Sequence, residues 1–245
     1  MKVDAGAQRL LLDLADVDAE LARIDHRRTS LPEDAELADL ATRADAARDD
    51  LVRAEISAED LTREYRRMEG EVNGMAAREA KDSQQLTAGG LAPRALSELQ
   101  HELTGLARRR TIIEDDMLGV MEQQEAIAAE QQRASATLEH LATETASVRE
   151  RRDAAMADLE ADLEAATSRR AALVADVAPE LLTIYDRQRS SGRVGAGLLR
   201  ARRCGACRME LDRGTIASIT AAAPDEVIRC EECGAILVRT AESGI

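Results

Sequence analysis

The chain of 245 residues contains no phenylalanine and no tryptophan, and its only aromatic side chains are Tyr65 and Tyr185. Large aromatics supply much of the apolar volume of an ordinary core, so a pair of conventional globular domains is excluded. What remains is rich in Ala, Leu, Glu, Asp and Arg, which fits long helices meeting along narrow seams. Lysine is scarce too: Lys2 and Lys81 are the only two, a pattern read as genomic composition bias rather than function. No stretch approaches about eighteen consecutive apolar residues, so no membrane span is expected. No apolar run of the signal-peptide kind follows Met1-Lys2-Val3-Asp4, and the expected compartment is the reducing cytoplasm. No Ser/His/Asp arrangement, phosphate loop or dinucleotide fingerprint occurs. His26, His101 and His140 have no Cys or second His at ligand spacing and read as helix-surface residues. No catalytic residue and no small-molecule substrate are expected.

Cysteine is also rare, but its placement is the sharpest signal. The four cysteines form two matched pairs, Cys204-Gly205-Ala206-Cys207 and Cys230-Glu231-Glu232-Cys233. Two residues between sulfurs let one tight turn present both to the same metal, and two such units about twenty residues apart read as a four-thiolate zinc site. A redox C-x-x-C usually stands beside a βαβ pattern, which is missing, and a disulfide framework belongs to secreted chains. One structural Zn²⁺ per chain is therefore expected on Cys204, Cys207, Cys230 and Cys233. Gly205 and Gly234 are expected to supply positive φ in the two turns. A four-thiolate zinc has no open position for water, which argues against metal catalysis and for a non-enzyme.

Hydrophobic spacing sets the rest of the architecture. Leu10, Leu14, Val17, Leu21 and Ile24 alternate 4-3-4-3, an a/d seam. The pattern breaks at residues 30–33, where Ser30 and Glu33 fit a capping box and Pro32 a first helical turn. A second seam runs from Leu37 through Leu51, Leu61 and Val72 to Met75. Ala88-Gly89-Gly90-Leu91-Ala92-Pro93 is the one strong breaker between residues 33 and 178 and reads as a hairpin tip. The return helix carries its seam from Leu96 to Val177, with one slip of the 3-4 alternation after Arg152 (Ala155, Leu159, Leu163). Its polar positions (Arg110, Gln124, Gln131, Arg152, Arg170) weaken packing but fix register. The arms have matched lengths, about 120–130 Å at ~1.5 Å per residue, so residue i is expected to face roughly 181−i.

The fold class expected is mainly α: a long antiparallel coiled-coil hairpin over 1–178 and a small β-rich zinc ribbon over 200–245. Residues 179–199 form a short helix and a flexible Gly/Ser/Arg linker. Short strands are expected over 208–212, 226–229 and 235–239, with a helical turn over 215–222. The ribbon has too few apolar residues to fold without a staple. Structural zinc contributes on the order of 10–16 kcal/mol in comparable modules.

The net charge is −14, yet from Arg187 to Arg208 there are seven arginines and no acid: Arg187, Arg189, Arg193, Arg200, Arg202, Arg203 and Arg208. A basic segment on an acidic protein is a candidate phosphate-binding surface, for RNA or single-stranded nucleic acid. It serves equally as cover for the acidic hairpin or as a protein-docking face. Tyr185 is the one aromatic near enough to act as a base-stacking platform.

Three stretches carry a family likeness: Leu181-Leu182-Thr183-Ile184-Tyr185-Asp186-Arg187, the run from Arg203 to Leu211, and the run from Asp225 to Leu237. With Ile113-Glu114-Asp115-Asp116-Met117-Leu118 and Met121-Glu122, the chain resembles the bacterial coiled-coil-hairpin plus C4 zinc-ribbon proteins, long described as a domain of unknown function. The arginine-dominated composition resembles an actinobacterial member. The resemblance implies a metal role for Cys204, Cys207, Cys230 and Cys233. It also implies a non-enzymatic adaptor or chaperone, tied in flagellated or secreting bacteria to flagellar and type III secretion components and in some cases to RNA. The family's Lys- and Tyr-rich segment near the tip is matched here only by Arg78-Glu79-Ala80-Lys81-Asp82, without the Tyr. Two functions are expected on this basis. The first is an adaptor whose ribbon and Arg segment bind RNA or the transcription machinery. The alternative is a chaperone or scaffold holding a protein client along the acidic hairpin. The expected oligomeric state is a monomer or weak dimer.

Overall fold

The computed structural model describes residues 1–244. In chain order it contains α1 (Ala5–Arg28), α2 (Pro32–Ala88), α3 (Pro93–Asp176), α4 (Pro179–Ser190), β1 (Ala196–Arg200), β2 (Arg203–Cys204), α5 (Arg213–Ala221), β3 (Ile228–Arg229) and β4 (Ile236–Val238). A terminal 3₁₀ turn, Ala241–Ser243, follows. The chain divides into two compact units: Ala35–Glu150, and Met1–Asp34 together with Arg151–Ile245.

The Ala35–Glu150 unit is the hairpin of α2 and α3. Gly89 and Gly90 turn the chain at φ 72° and 80°, a left-handed conformation that glycine adopts without a Cβ penalty. The arms run antiparallel, because Arg78 pairs with Glu102 and Arg43 Nη2 with Glu144 at 3.8 Å. The first pair lies beside the expected register and the second a few residues beyond it. Leu40, Ala47, Leu141 and Val148 form one buried layer of the seam. Alanine there lets the backbones approach closely. Among the seam arginines, Arg110 finds Glu79 across the hairpin.

The other unit is built differently. Here α1 lies against the last third of α3, with Val17, Ile24 and Leu31 packed on Leu159 and Ala166. Arg152 Nε reaches Asp34 Oδ1 at 2.8 Å. The Ser30 hydroxyl bonds back to the His26 carbonyl at 2.6 Å. It therefore closes α1, and the expected capping box for the following helix is not formed. Helix α1 begins on a true cap: Asp4 accepts from the Gly6 N–H at 2.8 Å and from Ala7, which satisfies two orphan donors.

The ribbon sheet has strand order β2-β1-β4-β3, with β1 and β4 parallel and the outer pairs antiparallel. Ala196–Leu198 pair with Ile236–Val238, so residues expected to be flexible linker form a central strand. Their Gly/Ser/Arg-rich surroundings hid it. Of the expected strands, 208–212 contributes an isolated bridge, Arg203 to Glu210, and the other two shorten to β3 and β4. The chain start joins this region, because Lys2 bridges Glu226 and the Val3 N–H donates to the Asp225 carbonyl at 2.7 Å.

The main core lies where α1, α4 and the sheet meet: Leu11, Leu14, Leu181, Tyr185, Ile236 and Val238. Leu11, not Leu10, is the fully buried position on the first turns of α1. The periodicity pointed to a two-helix seam, whereas this end of α1 turns its face to the sheet as well.

Candidate metal centre

The four cysteine sulfurs lie within 4.8 Å of one another. Cys204 and Cys233 are 3.9 Å apart, as are Cys207 and Cys230. A tetrahedron with ~2.3 Å metal–sulfur bonds has edges of about 3.8 Å, so the donor set and its spacing fit Zn²⁺. The chain carries one structural zinc, held by Cys204, Cys207, Cys230 and Cys233.

The two C-x-x-C turns are built alike. The Arg208 N–H donates to the Cys204 carbonyl at 2.7 Å, and the Gly234 N–H to the Cys230 carbonyl at 2.9 Å. One residue further on, Met209 and Ala235 offer their carbonyls to the N–H groups of Cys204 and Cys230, at 3.0 and 2.8 Å. The residue after the second cysteine of each turn is left-handed: Gly234 at φ 81°, as expected, but Arg208 at φ 65° in the first turn. Gly205 is not there for positive φ. A Cβ on it would stand 2.6 Å from the Leu198 carbonyl oxygen of β1, and its N–H bonds that oxygen at 2.9 Å. Gly205 is there for close approach.

Without metal the thiols differ. Burial pushes the Cys204 thiol up to about 12, against backbone N–H groups of Cys207 and Ala206 that favour the thiolate. Burial also raises Cys233, opposed by the Ala235 N–H. Cys207 feels a smaller burial effect, and hydrogen bonds from the Met209 N–H and the neighbouring sulfurs bring it below the ordinary range. Zinc binding must therefore expel the Cys204 proton. The N–H groups already aimed at the sulfurs then stabilise the bound thiolates.

Two side chains missed in the sequence fasten the centre. Gln188, buried on α4, donates from its amide to the Cys233 carbonyl. Arg239 donates to the carbonyls of Ile219 at 3.2 Å, Ala222 at 2.9 Å, Ala223 at 2.5 Å and Glu226 at 2.8 Å. It thereby ties the end of α5 and the following loop to β4. Helix α5 starts at Asp212, whose carboxylate accepts from Gly214 and Thr215. The Thr215 hydroxyl and those backbone N–H groups hold it below the usual carboxylate range.

A third missed feature lies under α4. Asp18, 9% exposed on α1, accepts from the Tyr185 hydroxyl at 2.8 Å and from Arg170 Nε at 2.7 Å, and forms an ion pair with Arg189 Nε at 3.1 Å. Arg170 also reaches Asp186 at 3.2 Å. One carboxylate thus joins α1, α3 and α4. Burial first, and the Asp18 carboxylate second, drive the Tyr185 phenol well above its ordinary range. Tyr185 is only 1% exposed and cannot stack on a base, contrary to the sequence-based expectation.

The structure sorts the seven arginines. Arg189 is committed to Asp18, and Arg203 Nη2 lies 3.4 Å from Glu210. Arg187, Arg193, Arg200, Arg202 and Arg208 are exposed and have no acidic partner among the described residues. Arg200 and Arg203 flank the two-residue turn between β1 and β2, in which Ala201 and Arg202 both take positive φ, 49° and 63°. Arg193 and Arg208 line an open groove of about 1340 Å³ whose α1 wall carries Asp16 and Asp25.

Comparison with known proteins places this geometry. Residues 14–193 match a CT398-like coiled coil hairpin domain, and residues 203–237 a C4-type zinc ribbon domain. The uncharacterized protein Rv2229c of Mycobacterium tuberculosis is 43% identical over 239 residues, covering 98% of both chains. The uncharacterized protein ML1638 of Mycobacterium leprae is 31% identical over 223 residues, covering 91% of this chain and 96% of its own. A solved structure from Mycobacterium smegmatis superposes with a TM-score of 0.87 at 42% identity, covering 98% of this chain and all of that one. CT398 from Chlamydia trachomatis shares the fold at 18% identity, with a TM-score of 0.64 and coverage of 96% and 98%.

Proposed function

The chain belongs to the CT398-like coiled coil hairpin family and carries a C4-type zinc ribbon, and from that premise we propose a non-enzymatic adaptor whose ribbon holds nucleic acid, RNA first among the substrates to test. The observation that carries the reading is the set of five exposed arginines without acidic partners among the described residues, Arg187, Arg193, Arg200, Arg202 and Arg208, in a segment free of acids. Arg200 and Arg202 are the contacts to test first, since both are exposed at the turn between β1 and β2 and neither is paired with an acid among the described residues. Arg193 and Arg208 face Asp16 and Asp25 across the groove, which disfavours a polyanion inside it.

With Tyr185 buried, no aromatic of the ribbon unit is offered to bases. The contacts are then to phosphate, and little sequence preference follows. The zinc holds the knuckles in place; with four thiolates it leaves no position for a reacting water.

Titration of RNA against protein at several salt concentrations tests this. About 0.7 counterion is released per single-strand phosphate contact, so five arginines give a log–log slope near −3.5. R200E/R202E should remove at least two of these five contacts, about 1.4 of that slope, while zinc content stays at one per chain. No RNA affinity at ~50 mM salt, where such contacts are strongest, overturns the reading.

A further inference from the structure

A second surface lies on the hairpin unit. Most exposed positions of α2 and α3 are polar, and on α2 the acids largely neutralise themselves. Asp45 pairs with Arg48, Asp50 with Arg53, Asp60 with Arg63 and Glu71 with Arg67, each three or four residues apart. The stretch of α3 from Thr111 to Gln132 is different, with six acids and no base. Glu114 alone among them meets an arginine, Arg110 at 3.3 Å. Asp115, Asp116, Glu122, Glu125 and Glu130 have no basic partner among the described residues.

Three large apolar side chains are exposed in the same stretch: Ile112 at 52%, on the other side of the seam, and two that share one face. Leu118 is 59% exposed and Met121 43%. At 100° per residue, Glu114, Leu118, Met121, Glu122 and Glu125 fall on one side of the helix, away from the seam positions Ile113, Met117 and Val120. The seam needs none of them, and water solvates Leu and Met poorly. The face spans twelve residues, about 18 Å, or three helical turns.

We infer that this face of α3, centred on Leu118 and Met121, docks a basic amphipathic helix of a partner protein. Charge complementarity names the occupant: the apolar pair seats an apolar stripe, and Glu122 and Glu125 meet lysines or arginines beside it. A polyanion is repelled from this stretch, so the partner is not nucleic acid. The inference is independent of the RNA reading, which concerns residues of the other unit, and it gives the client-holding alternative a defined surface.

The probe is a synthetic helical peptide with leucines at i, i+3 and i+7 flanked by lysines, labelled for fluorescence anisotropy and titrated with the full-length, zinc-loaded protein. E122K/E125K should weaken binding at least ~10-fold, and L118Q/M121Q similarly, with helicity unchanged because all four positions are exposed. Two controls on α2 should stay within ~2-fold: E55K/E64K, which removes unpaired exposed acids, and V52Q/I56Q, which removes exposed apolar groups. Equal losses in targets and controls would mean diffuse attraction to an acidic rod and overturn the proposal. Binding that falls with E122K/E125K but ignores L118Q/M121Q overturns it too, leaving charge alone. Sedimentation velocity of the protein without peptide checks the rival occupant. A dimer that L118Q/M121Q dissolves would assign the face to a second copy instead.

Discussion

Leu14 and Leu141 are both leucines with almost no exposed surface, yet they are buried by different means. Leu14 on α1 is enclosed by α4 and the sheet as well as by the end of α3, in a core that includes Leu181, Tyr185 and Ile236. Leu141 sits in a two-helix seam with Leu40, Ala47 and Val148 as its buried neighbours. The Ala35–Glu150 unit repeats one simple contact along its length. The ribbon unit combines three layers, a metal centre and a buried carboxylate. Damage should therefore stay local and modest in the first and spread in the second.

The largest effect is expected from the metal. Chelating zinc, or making Cys204→Ser with Cys230→Ser, removes on the order of 10 kcal/mol from the ribbon. The sheet should unfold while far-ultraviolet circular dichroism keeps its helical signal. Loss of helicity along with zinc would erase the distinction between the units. Zinc should also leave as pH falls. Cys204 is pushed up to about 12 when metal-free, so protons compete for its sulfur, and retention is greatest at high pH. A zinc-responsive dye followed through a downward pH titration reads this directly.

Next come the two leucines. Leu14→Ala should cost about 4 kcal/mol, because three layers cannot all collapse into the cavity, and Leu141→Ala about 2 kcal/mol, because two helices can close up. Denaturant unfolding of both variants checks the order, and equal costs would argue that the layers do not matter.

Asp18→Ala should cost about 3 kcal/mol. It leaves the Tyr185 hydroxyl buried without its partner and two guanidinium groups short of their carboxylate, Arg170 keeping only Asp186. Asp18→Asn keeps the shape and one acceptor and should recover part of the loss.

The smallest effect has the opposite sign. Arg208 takes φ 65° where the matching turn has Gly234 at φ 81°. Arg208→Gly should therefore relieve backbone strain and stabilise the ribbon by up to about 1 kcal/mol, read from the unfolding midpoint with zinc bound. A loss instead would mean that the Arg208 side chain holds the first turn by contacts stronger than that strain.

The sequence made the hairpin and the thiolates legible because both are local patterns. Spacing of three and four residues marks a seam, and two residues between cysteines mark a knuckle. It could not show that Leu11 would be fully buried rather than Leu10, because the surface that decides this, β4, is more than 220 residues away. Nothing local marks Asp18 either, since its partners Arg170, Tyr185 and Arg189 come from two other helices. Gln188 and Arg239 act on backbone carbonyls, which leave no mark in composition. The strand at Ala196–Arg200 was hidden by glycines whose role lies in close packing, as Gly205 shows against Leu198. The arginine segment was visible as charge, but only the fold separates Arg189 and Arg203, already paired, from the five left free.

The antiparallel bridge between Lys2 and Glu226 sets a clock on synthesis. The Val3 N–H finds its acceptor on Asp225, so residues 2 and 3 wait for partners made more than 220 residues later. At ~5–20 residues per second, the apolar face of α1, with Leu11 and Leu14, stays uncovered for roughly 10–40 s. The hairpin arms can pair before that delay ends. The ribbon unit has high contact order and must close its longest loop last. Slowing translation between residues 150 and 220 should therefore lengthen the window in which nascent chains associate through α1.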